Sequence, residues 1–224
     1  MQVDFVGDAG IDVLLDADHR VWGQHPTTSV PLLGTPVGMQ PTAAIQVAWM
    51  NKKIGTVDHV DVAALHNGRE IAFRLEWSAA TESSDVSDNN SFPDAAAIAL
   101  PVSPDAPIIT MGAPGQPVNA WYWRADEPQG ARQLSAEGLG TSLTFDQRVI
   151  QGRGSWKQGR WRVVLARALR VESESPVAEL IPGTATGFGV AIWDGANGER
   201  GGIKAFSGNW LPLELQAASG ERNA

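Results

Sequence analysis

The chain has 224 residues, 43% of them hydrophobic and 19% charged, with 24 Gly and 14 Pro, a composition that describes one globular domain over residues 1–224, rich in turns and poor in helix. A formal net charge of −8 with no basic stripe excludes a nucleic-acid surface, and the absence of cysteine excludes iron–sulfur ligation, thiolate zinc, disulfides and covalent C-x-x-C-H haem attachment within this chain. No apolar run reaches the about eighteen residues of a membrane span, and Met1 to Gly10 has neither the basic nor the apolar region of a signal peptide, so the residues alone describe a soluble chain without an export signal.

In chain order, residues 24–41 are rich in Pro, Gly and Thr and are expected to run irregularly over the surface. Val60-Asp61-Val62-Ala63-Ala64-Leu65, then His66-Asn67-Gly68, then Ile71-Ala72-Phe73-Arg74-Leu75-Glu76-Trp77 reads as a β-hairpin about an Asn-Gly turn. Its second arm puts Ile71, Phe73, Leu75 and Trp77 on a core face and Ala72, Arg74 and Glu76 on a wet one. Residues 81–90 are polar and acidic and read as an exposed loop. Further strands are expected at 95–100, 118–124, 161–169, 188–193 and 211–215. Trp156-Lys157-Gln158-Gly159-Arg160-Trp161 makes another tight turn between strands, and the tail from Ala217 is expected to fray. With no ten-residue amphipathic helices between these runs, the pattern favours an antiparallel β-sandwich with few short helices over a βαβ fold.

No hydrolase, zinc-protease, phosphate-loop or EF-hand pattern occurs. The histidines at 19, 25, 59 and 66 are isolated, and His66 reads as a plain turn residue. Nine Trp serve either a sandwich core or a platform for a flat ligand. Trp121-Tyr122-Trp123 alternates, so the two indoles share a face and Tyr122 takes the other. By spacing alone Met111, ahead of Gly112-Ala113-Pro114-Gly115, is a gap-filling core residue, and Lys204, in Glu199-Arg200-Gly201-Gly202-Ile203-Lys204, a solvated surface residue.

Three blocks alter that reading: residues 60–68, residues 110–123 (Thr-Met-Gly-Ala-Pro-Gly-Gln-Pro-Val-Asn-Ala-Trp-Tyr-Trp) and residues 199–208 (Glu-Arg-Gly-Gly-Ile-Lys-Ala-Phe-Ser-Gly). In order and over most of the chain they resemble the γ, haem b-carrying subunits of the ethylbenzene-dehydrogenase-like, type II dimethyl-sulfoxide-reductase-family molybdenum enzymes. The resemblance implies a haem-binding β-sandwich of the cytochrome type, with the iron held axially by a methionine and a lysine, here Met111 and Lys204. It implies an αβγ heterotrimer: an α subunit with the molybdenum cofactor oxidises or reduces substrate, and an iron–sulfur β subunit passes electrons to this haem. An external acceptor such as a cytochrome then takes them. It also implies a periplasmic complex, this chain being co-exported with the α subunit. Trp121 and Trp123 are candidates to flank the haem, and Arg124 and Arg200 to pair with its propionates. Two other readings remain beside this one: a haem-free sandwich that binds carbohydrate or a partner protein through exposed Trp, and a scaffold that has lost its haem.

Overall fold

The computed structural model describes residues 1–88, 90–145, 149–173 and 176–218. Its strands are β1 (Gln2–Phe5), β2 (Thr28–Pro31), β3 (Leu33–Gly34), β4 (His59–His66), β5 (Glu70–Ser78), β6 (Ala95–Pro101), β7 (Val118–Arg124), β8 (Arg132–Ala136), β9 (Leu143–Thr144), β10 (Gln151–Lys157), β11 (Arg160–Ala168), β12 (Ala185–Trp193), β13 (Ala205–Phe206) and β14 (Leu211–Leu215). Two short helices, α1 (Ile11–Leu15) and α2 (Ala43–Trp49), accompany them among the described residues.

The expected hairpin is β4–β5. Gly68 takes a φ of +87° at its turn, and the Asn67 side-chain oxygen accepts from the N–H groups of Arg69 and Glu70. The second expected turn joins β10 to β11 through Gln158 and Gly159, both with positive φ, as a two-residue hairpin requires. The first sheet runs β10-β11-β5-β4, and the second runs β12-β6-β7-β8-β9 with β13 and β3 at the free part of β12. The joints between neighbours in both sheets are antiparallel. The departure is the seam that joins the sheets, where β1 pairs parallel with β4 and with β14, and β14 pairs antiparallel with β12. A wholly antiparallel reading misses β1 because its four residues carry too little alternation to declare a strand.

The core lies between the sheets. Phe73, Trp77 and Trp161 of the first meet Trp121, Trp123 and Phe188 of the second. Phe73–Trp121 and Trp123–Trp161 stand edge to face at centroid distances of 5.5 and 5.0 Å, a favourable arrangement of ring quadrupoles. Two of the core indoles find acceptors: Trp161 Nε1 donates to Asp94 Oδ2 at 2.8 Å and Trp123 Nε1 to the Pro128 carbonyl at 3.1 Å. The face of β5 expected to be wet is only partly so, because Ala72 is buried with Ala63, Leu65, Val164 and Ala166 beneath Leu14, Leu15 and Trp22, while Arg74 and Glu76 pair with each other. His66 is not a turn residue. It ends β4, fully buried, with its ring 5.3 Å from that of Phe5.

Residues 24–41 are more ordered than expected, since they supply β2 and β3. The loop at 81–90 is largely exposed, with Asn89 outside the described residues. Of the tail expected to fray, residues 219–224 lie outside the described residues.

Candidate functional site

Strand β6 and the middle of β12 turn their larger side chains inward and their small ones outward. In β6, Ala96, Ile98 and Leu100 join the core, leaving Ala95, Ala97 and Ala99 on the outer face. Strand register then composes that face in rows. One row runs Phe206, Ala191, Ala97, Tyr122, Arg132, and the next runs Gly189, Ala99, Ala120, Leu134, Thr144. The second row carries nothing larger than a methyl group across three adjacent strands, about 10 Å at the usual interstrand spacing, and the first does so across two, Ala191 and Ala97, before Tyr122 closes it. The result is a flat apolar floor.

A cavity of about 420 Å³ lies over this floor, a volume in the range of small-molecule and cofactor sites. Its walls come from the 35–41 segment, the 108–111 segment, the 138–144 segment and the turn that returns β12 to β13, and they bring Met111 and Lys204 to one enclosure. Ile109 and Leu139, both about half exposed, stand at its edge.

Each candidate ligand is held by backbone. Met111 has φ +57°, a left-handed conformation that costs a residue with a Cβ about 1 kcal/mol or more and persists only where its surroundings impose it. Those surroundings are hydrogen bonds: Met111 N–H to the Ile108 carbonyl at 3.0 Å, Gly112 N–H to the Pro107 carbonyl at 2.8 Å, and Gly138 N–H to the Met111 carbonyl at 3.0 Å. Gly112, at φ +89°, has no room for a side chain, since a Cβ would come within 2.5 Å of the Ala136 carbonyl oxygen. The T-M-G block is therefore a rigid turn that presents one methionine to the cavity.

Lys204 follows a loop organised by a buried acid. Glu199 is 1% exposed, and its two oxygens accept from the N–H groups of Gly55, Thr56 and Asp194 and from the Asn197 amide. The Thr35 N–H donates to the Lys204 carbonyl at 3.0 Å, and the Gln40 amide donates to the Gly202 carbonyl at 3.2 Å. The ammonium has no hydrogen bond or ion pair among the described residues. It stands 5.4 Å from the ring centroid of Trp193, whose Nε1 donates to the Gly201 carbonyl at 3.0 Å. Burial without a counter-charge pushes the lysine down to about 8, so the neutral amine that a metal requires lies within easy reach.

The other candidates lie elsewhere. Trp121 and Trp123 are fully buried in the core, on the face of β7 opposite the cavity, so the structure does not bring them to it. Arg124 shares the cavity face of β7 but lies outside the enclosure and grips Asp126 with two bonds of 2.9 and 2.7 Å. Arg200 lies over the Phe92 ring, 4.1 Å from its centroid, and donates to the Gly198 carbonyl, also away from the cavity. Sequence reasoning missed Tyr122, Trp193 and Arg132, which do line it. Tyr122 stands edge-on to Trp193 at 5.2 Å, and burial pushes its phenol up, keeping it neutral. The alternation in Trp121-Tyr122-Trp123 held the signal for Tyr122, once the indoles are assigned to the core.

The residues present fit an apolar, planar, metal-bearing group: a thioether and an unpartnered amine on rigid walls above a floor of Ala and Gly. No cluster of three or more His, Asp or Glu able to hold a bare metal ion exists among the described residues.

Comparison with known proteins bears on the same residues. The family model described as ethylbenzene dehydrogenase matches residues 19–149 and 142–205. The chain is 34% identical over 199 residues to the chlorate reductase γ subunit of Ideonella dechloratans, covering 87% of this chain and 77% of that one. It is 27% identical over 207 residues to the dimethylsulfide dehydrogenase γ subunit of Rhodovulum sulfidophilum, covering 88% and 73%. It is 30% identical over 189 residues to a proposed respiratory nitrate reductase haem subunit of Haloferax mediterranei, covering 84% of this chain but only 64% of that relative. Among solved structures, a family 9 carbohydrate-binding module from Caldicellulosiruptor kristjanssonii in complex with glucose overlays with a TM-score of 0.55 at 10% identity, covering 100% and 99% of the two chains. A proposed carbohydrate-binding protein of Bacteroides uniformis does so at 0.55 and 11%, covering 96% and 98%. At those identities the likeness is one of fold alone, and it agrees with the sandwich. The family match takes in both the Met111 turn and Lys204 and spans most of the chain, which belongs to the ethylbenzene dehydrogenase family.

Proposed function

We propose that this chain is the electron-transfer subunit of a heterotrimeric molybdenum oxidoreductase. In this reading it holds haem b between Met111 and Lys204, receives electrons from an iron–sulfur subunit and delivers them to an external acceptor. The observation that carries the reading is the meeting of Met111 and Lys204, from distant parts of the chain, on the walls of one cavity over a flat apolar floor. Its relatives named as γ subunits of chlorate reductase and dimethylsulfide dehydrogenase support the assignment to such a complex.

A haem bound there supplies reversible one-electron chemistry. The protein's part would be to hold the iron through Met111 and Lys204. Lys204, without a hydrogen bond or ion pair among the described residues, gives up its proton at small cost and offers the Nζ lone pair. Met111 offers a thioether, which favours the ferrous state and raises the potential. With Met111 and Lys204 both holding the iron this chain would carry electrons, and substrate chemistry would belong to the molybdenum-bearing α subunit. The complex is periplasmic in this reading, this chain crossing the inner membrane folded together with the α subunit. No described helix is long and apolar enough to span a membrane.

The haem-free carbohydrate-binding alternative relied on exposed indoles. All nine Trp are described, and none is exposed; Trp156 and Trp210 are half-buried and the rest buried. The deciding experiment is a reduced-minus-oxidised spectrum and pyridine haemochrome assay of the native complex, repeated for Met111→Ala and Lys204→Ala. A six-coordinate, low-spin b-type spectrum that both substitutions disturb is the expected result. Unchanged haem content and spectrum in either variant would overturn the ligand assignment, and absence of a Soret band would return the chain to the scaffolding class.

A further inference from the structure

The floor of the cavity has a direction. Lys204 lies just before β13, at one edge of the second sheet, while Arg132 opens β8 toward the other edge. Arg132 pairs directly across the strands with Tyr122, and neighbours in register share a face. Apart from Lys204, it is the one cationic side chain among the described residues that line the cavity. Arg132 and Thr144 also line a second, polar hollow of about 630 Å³, together with Glu127, Gln129 and Gln151. The apolar slot thus gives way to a polar surround at Arg132. Arg124 and Arg200, engaged elsewhere, do not compete for this position.

We propose that Arg132 is the anchor for the carboxylate arms of the planar cofactor, an inference that rests on the haem reading above. An amphiphilic ring with carboxylates along one edge lies over the alanine floor only if its charged edge finds a cation, and Arg132 is the cation that lines both the slot and the polar hollow, whereas Arg153 lines the hollow alone and lies against Asp12. A guanidinium presents a planar fork that matches a carboxylate in a two-bond geometry. The fork is prepared for that role by the contact it already makes: Arg132 Nη2 donates to Glu127 Oε1 at 2.5 Å, with both side chains close to half exposed. Such an exposed pair contributes little stability, so one carboxylate readily replaces another. Glu127 is then a competitor for the anchor, and removing its charge strengthens the anchor's hold on the cofactor.

The test titrates the full-length apo chain with ferric haem b and with its dimethyl ester, in which both carboxylates are masked, following the Soret band. The wild type is expected to bind the free acid about tenfold more tightly than the ester, the effect of one charge-assisted hydrogen-bonded pair. Arg132→Gln should bring that ratio close to one, and Glu127→Gln should increase it. Because the readout is a ratio within one variant, a general loss of stability does not imitate the result. An unchanged ratio in Arg132→Gln, or no preference in the wild type, would overturn the anchor while leaving Met111 and Lys204 in place. Binding of neither form by the wild type would overturn the haem reading itself.

Discussion

The two outer faces of the sandwich begin from similar surfaces and are covered in different ways. On the first sheet, Ala63, Leu65, Ala72, Val164 and Ala166 face outward and are roofed by Leu14, Leu15, Val21 and Trp22 of the N-terminal segment. On the second, Ala191, Ala97, Ala99 and Ala120 face outward beneath a cavity. An apolar face left to water is unfavourable by about 25 cal/mol per Å², so each needs a cover. The chain provides one from its own sequence and keeps the other face open for a ligand. The contrast lies in how complete the cover is: Ile108 closes over Gly189 and Trp193 and Tyr122 pack beside Ala97, yet a hollow remains above Ala97, Ala99, Ala120 and Ala191.

Filling each face should separate the two roles most strongly. Ala97→Trp is expected to abolish haem uptake while leaving the melting temperature near that of the wild-type apo protein. Ala72→Trp should do the reverse, destabilising the fold by about 1–3 kcal/mol through overpacking and leaving uptake intact. Soret titration and thermal denaturation on both variants measure this, and equal loss of stability would break the contrast. Removing the roof of the first sheet instead, Trp22→Ala should cost about 3–5 kcal/mol, more than the overpacked Ala72 variant. Chemical denaturation checks the cost, and ligand titration under native conditions should show a floor that still binds.

A smaller effect, of about 1–2 kcal/mol, is expected from Gly112→Ala, because the new Cβ meets backbone oxygens in a left-handed conformation. The loss should appear together with a weakened methionine signature in the haem spectrum; a normal spectrum would show that the turn does not fix Met111. The smallest effect concerns His66, whose pKa burial holds below its usual value. The unfolded chain then binds a proton more readily than the folded one. Stability should fall as pH drops from about 6.5 toward the lower folded value and be level above about 6.5. His66→Gln should flatten that acid limb in a denaturation series across pH, and an unchanged limb would assign it to other groups.

The sandwich was largely legible. Strands β4, β5, β6, β7, β11, β12 and β14 fall where alternation and turn residues placed them, to within a few residues at their ends. Short strands such as β1, β3 and β13 were not, since two to four residues hold no periodicity. Met111 and Lys204 read as ordinary residues by spacing and gained roles only from resemblance, because burial of Lys204 depends on Thr35, Gln40 and Trp193, remote in sequence. The candidates Arg124 and Arg200 were drawn by chemistry without register. Arg132 emerges only when β8 is paired with β7, and β8 gave no signal of its own. The floor was half legible, in that Ala95, Ala97 and Ala99 alternate with Ile98 and Leu100, yet nothing in sequence says which side of an alanine-rich strand is left uncovered.

The parallel seam bears on the timing of folding. Gln2 pairs with Glu214 and Asp4 with Leu65, so β1 bridges the earliest hairpin and a strand from the far side of the chain. Contacts of such sequence separation form after a large loss of loop entropy and slow the folding rate. The β4–β5 hairpin has its partners close at hand, whereas the strand seam between the sheets closes when β14 reaches β1. Until then both carry open edges that invite pairing with other chains. A chain built this way has a period of vulnerability late in folding, and the last strand to arrive ends it.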